Sequence, residues 1–562
     1  MHRTRATPAT GSRGRTSPAG RPRRRTVLRA MGAAALTAAG GGGRPVAAAV
    51  SAAEPAEPSE ASEASEASEA AEATEATGST RKRQLRGLWI TSLDHIDWPR
   101  RGVLNPAQQR TDFTDLLDQV VAIGFNAVFV QVRPTADALW PSPHEPWSQW
   151  LTGVQGQDPG WDPLAFMVEA AHRRGLAFHA WFNPFRVAIQ PDPAALLPTH
   201  PARRHPDWLA VYNGELYYDP GLPAVRAFVQ QAILDAVVRY DIDGVHFDDY
   251  FYPYPATNGR QFPDDAAFAA HGGGFTDRAA WRRRNVDLMI SQMGELVRAA
   301  RPEAAYGVSP FGVWRNHRTD PAGSATDALQ SYDAQFSDSR GWIRNGWIDY
   351  LAPQLYWYFG YRAADYGVLA RWWARQTAGT DTQLWIGQSA SRPGAPDRPA
   401  PWQDPAELSR HLALNATLPP IGGDLFFSAR SVQVDRIGAI RRLAAEHWPR
   451  PVLGPLLPRL ARATPPGPPA LHRAAGRPAL RIVPWREARR PQPFQYALYR
   501  YDTDPGPRPP ADPARLIALL PALAVDHYTP AATAPGAWYA VTAVDRAGRE
   551  SGVSGPVRLP GG

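Results

Sequence analysis

Cysteine is absent from the 562-residue chain, and lysine occurs only once, at Lys82. Without cysteine the protein has no thiolate metal site, cysteine nucleophile, disulfide framework or lipid anchor on cysteine. This absence does not indicate a cellular compartment. No stretch after the first fifty residues reaches the ~18 apolar residues of a membrane-spanning helix, so we predict no membrane span.

The positive charge of the chain is concentrated at its two ends. The formal net charge is +8, but residues 1–53 hold ten arginines and no other charged residue. Residues 54–80 hold eight glutamates and no cation, and residues 452–562 carry a net charge of +7. Because the region between them is nearly neutral, net charge gives no support to nucleic-acid binding, and no nucleic-acid partner is predicted.

The amino-terminal segments have the composition of targeting and spacer sequences. Residues 23–29 (RRRTVLR) resemble a twin-arginine export signal, and a weakly apolar run and small residues suited to cleavage follow them. We therefore predict a signal peptide over residues 1–53 and a secreted or cell-wall-associated protein; a disordered basic tail is the alternative. Residues 54–81 contain too few large apolar side chains to form a core, which predicts an acidic low-complexity linker.

Short apolar segments alternate with amphipathic helical segments over residues 82–450. Eight apolar segments have the length of a buried strand: 85–91, 127–132, 177–182, 244–248, 306–309, 350–355, 384–387 and 423–427. This alternation predicts an α/β fold, a (β/α)8 TIM barrel, with an open doubly wound sheet as the structural alternative. No glycine-rich dinucleotide-binding turn follows the first strand, and no cofactor is predicted.

Two adjacent carboxylates end the fourth predicted strand, and in such barrels the chemistry lies at the carboxyl ends of the strands. If Val245 and Phe247 face the helices, alternation places His246 and Asp248 in the barrel lumen, with Asp248 at its mouth. Asp249 lies one step beyond. Adjacent carboxylates suit sugar hydrolysis; a hard-cation site and a structural pair, such as a helix cap, remain alternatives.

Further candidates follow the neighbouring strands. Glu145 lies in an aromatic loop after the second strand and is a candidate general acid, although loop packing is an equal alternative. The predicted substrate-binding residues are Arg133, Asp137, His179, Asn183, Arg186, His246, Tyr356 and Trp357. The histidines and aromatic residues among them could equally be ordinary core residues. No histidine cluster with zinc-ligand spacing is present, and no metal site is predicted.

The carboxyl-terminal residues predict a second, small module. Residues 451–470 are proline-rich and are predicted to be a linker. Beyond them, residues 480–485, 495–501 and 538–544 have the pattern of short strands. Residues 537–554 (AWYAVTAVDRAGRESGVS) resemble the last strands of a fibronectin type III domain. Over residues 471–562 this resemblance implies an immunoglobulin-like sandwich that acts more often as a spacer than as a sugar binder.

Several long motifs resemble the glycosyl hydrolase-like 10 family of secreted bacterial (β/α)8 proteins. They include RGLWITSLDHIDWP, from Arg86 to Pro99, and FNAVFVQVRPTADALWPS, DGVHFDDYFYP, GVSPFGVWRN and APQLYWY further along the chain. The resemblance covers about residues 82–450. It implies a glycan hydrolase, and some relatives are thought to cut peptidoglycan glycan strands, notably strands that lack stem peptides.

Comparison with other barrel hydrolases implies roles within the fourth-strand motif. Gly244-x-His246-x-Asp248 is similar to the α-amylase motif whose last aspartate is the nucleophile, with His246 in place of an arginine. In the chitinase-type motif Asp248 matches the final aspartate, and Tyr250 stands where the acid glutamate is expected. The predicted catalytic residues are therefore Asp248 as nucleophile or stabiliser, with Asp249 or Glu145 as acid/base; substrate assistance, in which Asp248 orients an acetamido group, is an alternative.

The predicted function is hydrolysis of a polysaccharide, with cell-wall peptidoglycan glycan as the favoured substrate. A non-catalytic glycan-binding protein on a hydrolase scaffold is the main alternative, because the expected acid glutamate is missing. A metal-dependent deacetylase or esterase is a third. The sequence does not indicate an oligomeric state.

Overall fold

A computed structural model of the protein describes most of the chain beyond its amino-terminal segments. The described residues are 81–559, without 476–478, 486, 488, 526 and 530–535. The predicted signal peptide and all but the last residue of the predicted acidic linker lie outside the described residues. No helix in the described part is both long and apolar enough to cross a membrane.

Eight parallel strands close into a barrel, which confirms the predicted α/β barrel. The strands of residues 81–450 are β1 (Leu85–Ile90), β2 (Ala127–Arg133), β3 (Ala177–Phe182), β4 (Arg186–Ala188), β5 (Leu209–Tyr212), β6 (Glu215–Tyr218), β7 (Gly244–Phe247), β8 (Ala305–Val308), β9 (Tyr350–Leu351), β10 (Gln383–Ser389) and β11 (Ile421–Phe427). The barrel order is β1-β11-β10-β9-β8-β7-β3-β2. Each of its strands overlaps one of the eight predicted strands, although β9 has two residues where six were predicted. The antiparallel sheet β4-β6-β5, inserted after β3, was not predicted.

Helices between the strands form the outer layer of the barrel. They are α1 (Pro106–Ile123), α2 (Gln149–Thr152), α3 (Pro163–His172), α4 (Pro201–Arg204), α5 (Pro223–Arg239), α6 (Asp265–His271), α7 (Arg278–Ala300), α8 (Ser331–Ala334), α9 (Ser339–Arg344), α10 (Tyr366–Thr377), α11 (Glu407–Thr417), α12 (Ala429–Val434) and α13 (Ala439–His447). Helix α1 shows the local signals: the Asn105 side chain accepts from the backbone N–H groups of Ala107 and Gln108, Pro106 is the first helical residue, and Gly124 ends the helix at φ 108°.

The barrel lumen is filled with aromatic side chains. Phe129 of β2 stacks on the His179 ring of β3 at 4.2 Å between ring centroids, and Tyr350 of β9 stacks on Trp385 of β10 at 4.0 Å. Gly244 of β7 makes room for this layer, because a Cβ atom there would lie 2.2 Å from His179 Nδ1. The lumen below the mouth is therefore a packed core.

The carboxyl-terminal residues form two antiparallel sheets. Their strands are β12 (Ala470–Arg473), β13 (Leu480–Val483), β14 (Gln495–Tyr501), β15 (Leu516–Pro521), β16 (His527–Tyr528), β17 (Trp538–Val544) and β18 (Val557–Arg558). The sheet orders are β12-β13-β16 and β15-β14-β17-β18. All three predicted strands are present, while the assignment to a fibronectin type III-like sandwich stays a prediction.

This module packs against the amino-terminal end of the barrel. Arg546 donates to Asp243 Oδ1 at 3.0 Å and to Asp241 Oδ2 at 2.6 Å, beside the start of β7. Within the predicted linker 451–470, the buried Leu457 donates its backbone N–H to the Ala547 carbonyl at 3.0 Å. These contacts leave the opposite, carboxyl-terminal mouth of the barrel open.

Candidate active site

A cavity of about 240 Å³ opens at the carboxyl ends of the barrel strands. It is lined by Trp89, Thr91, Leu93, Ile96, Gln131, Trp181, Arg186, Asp248, Asp249, Tyr250, Tyr254, Ser309, Gln354, Tyr356 and Phe427. Aromatic walls with a few converging polar groups are typical of small-molecule sites in this position of a TIM barrel. Asp248 and Asp249 are the carboxylates that line it in the described part of the chain.

The Asp248 carboxyl group is held by two side chains from β3 and the loop that follows it. Trp181 Nε1 donates to Asp248 Oδ2 at 3.0 Å, and Asn183 Nδ2 lies 3.2 and 3.3 Å from its two oxygens. The residue is only 3% exposed. Burial, followed by the neighbouring Asp249 charge, raises the pKa of Asp248 to about 6. Asp248 can therefore carry a proton in mildly acidic solution.

Asp249 has a separate set of donors. The Tyr254 hydroxyl donates to Asp249 Oδ2, and Gln335 Nε2 lies 3.4 Å from the same oxygen while it donates to the Asp249 carbonyl at 3.0 Å. Burial raises the pKa of Asp249, and the hydrogen bonds from Tyr254 and Gln335 oppose that rise. These donors favour the ionised form of Asp249.

Arg186, one of the predicted substrate-binding residues, forms part of the cavity wall. Its guanidinium lies over the Tyr250 ring, 4.9 Å from the ring centroid. Its Nε and Nη2 atoms contact the Pro134 carbonyl at 3.4 and 3.2 Å. The Arg186 charge is among the groups that lower the pKa of Asp248, against the larger effect of burial.

His246 lies in the lumen, as strand alternation predicted, but it does not line the cavity. Its Nε2 accepts from Trp89 Nε1 at 3.0 Å and lies 3.0 Å from Ser309 Oγ, while its Nδ1 lies 3.0 Å from the Tyr350 hydroxyl. Burial lowers the pKa of His246 well below its usual range, so the ring is neutral. His246 therefore fixes two cavity-lining side chains and lies behind them.

His179 is placed too deep for the predicted contact with substrate. It pairs with Gly244 at the start of β7, and its ring stacks on Phe129 in the packed lumen. Burial lowers the pKa of His179 to about 4. The physical reason is position along the strand: Trp181 has the same alternation and is two residues nearer the mouth, and it is Trp181 that lines the cavity.

Glu145, predicted as a candidate general acid, forms a buried ion pair with Arg133. Arg133 Nε donates to Glu145 Oε2 at 2.7 Å and Arg133 Nη2 to Glu145 Oε1 at 2.5 Å. Both side chains are fully buried, and neither lines the cavity. Arg133 also donates to the carbonyls of Asn183 and Pro184. The predicted acid and substrate-binding roles are thus corrected: this pair fixes the loop that carries Asn183.

Asp137 is also buried away from the cavity, near the same ion pair. Burial raises its pKa to about 6. Of the remaining predicted residues, Tyr356 lines the cavity and Asn183 reaches it through Asp248. Trp357 instead packs edge-on against Phe311 at 5.4 Å between ring centroids and lies outside the cavity lining.

Several cavity residues were not predicted from the sequence. They are Trp89, Thr91, Leu93, Ile96, Gln131, Trp181, Tyr250, Tyr254, Ser309, Gln354 and Phe427. Alternation along β1 and β3 could have identified Trp89 and Trp181, since each is a lumen-facing residue near its strand end. Tyr254 and Gln354 lie in loops, where no periodic signal exists.

No group of three or more histidine, aspartate or glutamate side chains suited to a metal ion occurs in the described ranges. The site offers carboxyl, amide, indole, phenol and guanidinium groups. It can therefore exchange a proton, stabilise positive charge and hydrogen-bond a polyhydroxylated ligand.

The barrel, with carboxylates and aromatic residues at its mouth, has the architecture of a glycoside hydrolase-type protein. The chain belongs to the glycosyl hydrolase-like 10 family, whose model matches residues 84–404. It is similar to glycosyl hydrolase YngK of Bacillus subtilis (strain 168), with 45% identity over 386 residues that cover 68% of this chain and 75% of the relative.

Two further similarities concern other bacterial proteins. Glycosyl hydrolase DigH of Escherichia coli (strain K12) is 39% identical over 363 residues, which cover 61% of this chain and 82% of DigH. The solved glycoside hydrolase domain of PgaB (BpsB) from Bordetella bronchiseptica shares 13% identity at a TM-score of 0.44, covering 65% of this chain and 99% of that domain.

Proposed function

We propose that the protein is an exported glycoside hydrolase that cleaves peptidoglycan glycan strands, with Asp248 and Asp249 as its acid/base pair. The observation that carries the proposal is that both carboxyl groups line one aromatic cavity at the catalytic end of the barrel. The family resemblance supports the choice of substrate, since it implies that some relatives cut peptidoglycan strands without stem peptides. The arginine-rich amino-terminal sequence supports export.

The two carboxyl groups differ in their protonation. Ionised Asp249 is stabilised by Tyr254 and Gln335, while burial, followed by the Asp249 charge, raises the pKa of Asp248 to about 6. In a buried pair the second ionisation is opposed by the first, so the pair retains one proton in mildly acidic solution. We assign that proton to Asp248, which reverses the roles suggested by the motif comparison.

In this mechanism Asp248 donates its proton to the leaving glycosidic oxygen. Asp249 stabilises the positive charge that develops at the anomeric carbon, or accepts a proton from the attacking water. Trp181 and Asn183 orient the Asp248 carboxyl group.

The test uses purified peptidoglycan glycan, with and without prior removal of the stem peptides, and mass spectrometry of the products. The wild-type protein should release fragments with new reducing ends, and Asp248→Asn and Asp249→Asn should not. Asp424→Asn is the matched control, because Asp424 is also fully buried with a pKa raised to about 6 but lies outside the cavity. This control should keep its activity. Binding of glycan without new reducing ends would instead establish a glycan-binding protein.

Aryl glycosides of the released fragment separate the two roles. A dinitrophenyl leaving group departs without protonation, so Asp248→Asn should recover activity on it while Asp249→Asn should not. Recovery by Asp249→Asn alone would assign the proton donor to Asp249.

A further inference from the structure

Arg186 is a buried cation in the wall of the cavity. It is 5% exposed, and no carboxylate of the described residues lies within the 4 Å of an ion pair. Building on the proposed function, we propose that Arg186 is a specificity-determining residue that binds the carboxylate of an acidic sugar in the cleaved strand.

Two other buried arginines of the barrel are each paired with a carboxylate of the protein. Arg133 is held by both oxygens of Glu145, and Arg282 donates to both oxygens of Asp264 at 2.7 and 2.6 Å. Each of these charges is compensated within the protein, as expected for a guanidinium removed from water. Arg186 is also buried but has no such carboxylate; Arg226 lacks one too, and what sets Arg186 apart from Arg226 is that it lines the cavity.

The contacts of Arg186 leave donors available. Of the five N–H groups of a guanidinium, the Pro134 carbonyl engages one on Nε and one on Nη2. Nη1 has no acceptor among the described residues, so an Nη1–Nη2 edge remains for a planar, bidentate partner. The Tyr250 ring fixes the plane of the guanidinium from one side.

The acidic pair of the cavity does not take up this edge. Arg186 makes no hydrogen bond to Asp248 or Asp249, although it lines the cavity together with both. A ligand carboxylate could therefore pair with Arg186 while the two aspartates act at the glycosidic bond.

Peptidoglycan glycan contains a carboxyl group whose charge depends on whether a stem peptide is attached to it. The lactyl substituent of muramic acid is a free carboxylate when the stem peptide has been removed, and a neutral amide when the peptide is attached. Arg186 would bind the first form with a charge-assisted pair and the second without one. The single residue would thus select stripped strands over substituted ones.

The experiment compares one stripped glycan in two forms: with free lactyl carboxylates, and with the same carboxylates converted to methylamides. On the wild-type protein the free carboxylate form should have a kcat/KM about 10–100-fold higher, the range of a hydrogen bond to a charged group. Arg186→Gln should lower kcat/KM for the carboxylate form by a similar factor and change it less than about threefold for the methylamide.

Arg226→Gln is the matched control. Arg226 is also buried without an ion pair, bonds the Pro220 carbonyl and Asn285, and lies outside the cavity lining. This variant should keep the wild-type preference. Equal loss on both glycans in Arg186→Gln would overturn the proposal, because it would show that Arg186 acts through the aspartates. Equal cleavage of both glycans by the wild-type protein would overturn it even if Arg186→Gln did not fold.

Binding titrations with the same two glycans separate this inference from the proposed function. If the wild-type protein cleaves neither glycan, the proposed function is wrong. Tighter binding of the carboxylate form by about tenfold or more, lost in Arg186→Gln, would still support the role of Arg186. Equal affinities would contradict it.

Discussion

Replacing Asp248 with asparagine is expected to stabilise the folded protein at neutral pH while abolishing hydrolysis. The carboxyl group is 3% exposed, and burial is the largest cause of its raised pKa. Above that pKa the folded protein must hold a charge that water would solvate better. Asparagine has nearly the same shape and no charge, so the substitution removes this cost.

The magnitude follows from the pKa. A shift from 3.8 to about 6 corresponds to roughly 3 kcal/mol of stability lost by pH 7, at about 1.4 kcal/mol per unit. Trp181 and Asn183 still find an acceptor on the asparagine oxygen, and we subtract about 1 kcal/mol for the contacts of the other carboxylate oxygen. The expected gain is about 2 kcal/mol, or roughly 2 °C in Tm for a protein of this size.

The sign of the pH dependence is fixed. Because the folded pKa is raised, the wild-type protein has its full stability below the unfolded pKa near 4 and loses this contribution as the pH rises through 6. The Tm advantage of Asp248→Asn should therefore be largest at pH 7.5 and should be lost by pH 4, where the missing contacts leave the variant slightly less stable than the wild-type protein. Differential scanning calorimetry at several pH values measures it.

Asp424→Asn is the control for the stability measurement, because the Asp424 side chain is buried as deeply as that of Asp248. Asp424 accepts from Gln388 and Asn415 at 2.9 and 2.8 Å, and burial raises its pKa to about 6. Its variant should show the same pH-dependent stabilisation with full activity. If Asp248→Asn lowers Tm at pH 7.5, or if its effect is the same at pH 4 and pH 7.5, the Asp248 carboxyl is not a buried group of raised pKa and the reasoning is wrong.

Three further substitutions test the surroundings of the site. Tyr254→Phe removes a hydrogen-bond donor that lowers the pKa of Asp249, so the acidic limb of the pH–rate profile should move to higher pH. An unchanged acidic limb would show that ionisation of Asp249 is not required for catalysis. Glu145→Gln leaves Arg133 buried without its charge partner and should cost about 3–5 kcal/mol in urea unfolding, whereas a loss below 1 kcal/mol would deny the ion pair this role. Gly244→Ala puts a Cβ atom 2.2 Å from a ring that cannot move away from its stacked neighbour, and calorimetry should show a loss of about 1–3 kcal/mol; full stability would mean that the lumen is loosely packed.

The barrel was predictable because its strands are buried on both faces. The first four residues of β2, AVFV, are a continuous apolar run, and the helices between the strands begin at caps visible in the sequence, such as Asn105. The inserted sheet β4-β6-β5 was not predicted, because its strands β4, β5 and β6 have only three, four and four residues and lie outside the alternation of strands and helices that forms the barrel.

Within the site, the alternation of side chains along a strand predicted their direction correctly where the strand is regular, and incorrectly where it is not. It placed His246 in the lumen because Val245 and Phe247 pack outward. It would also place Arg133 inward with Gln131, but the pairing of β2 with β3 shifts register between these two residues. Arg133 therefore turns to Glu145, and the sequence carries no sign of that pairing.

The cavity contains buried charged side chains that form no ion pair with each other. Outside the cavity, the buried cation Arg133 is matched by the Glu145 carboxylate, and the buried Arg226 donates to the Pro220 carbonyl and to Asn285. In the cavity, Asp248 and Asp249 share their surroundings with a guanidinium, Arg186, that neither of them neutralises by direct contact. Charges left unmatched at a cost in stability are expected at functional sites, where a ligand supplies the missing partner. If so, the carboxylate form of the glycan should raise the Tm of the wild-type protein by more than its methylamide, and Arg186→Gln should remove that difference.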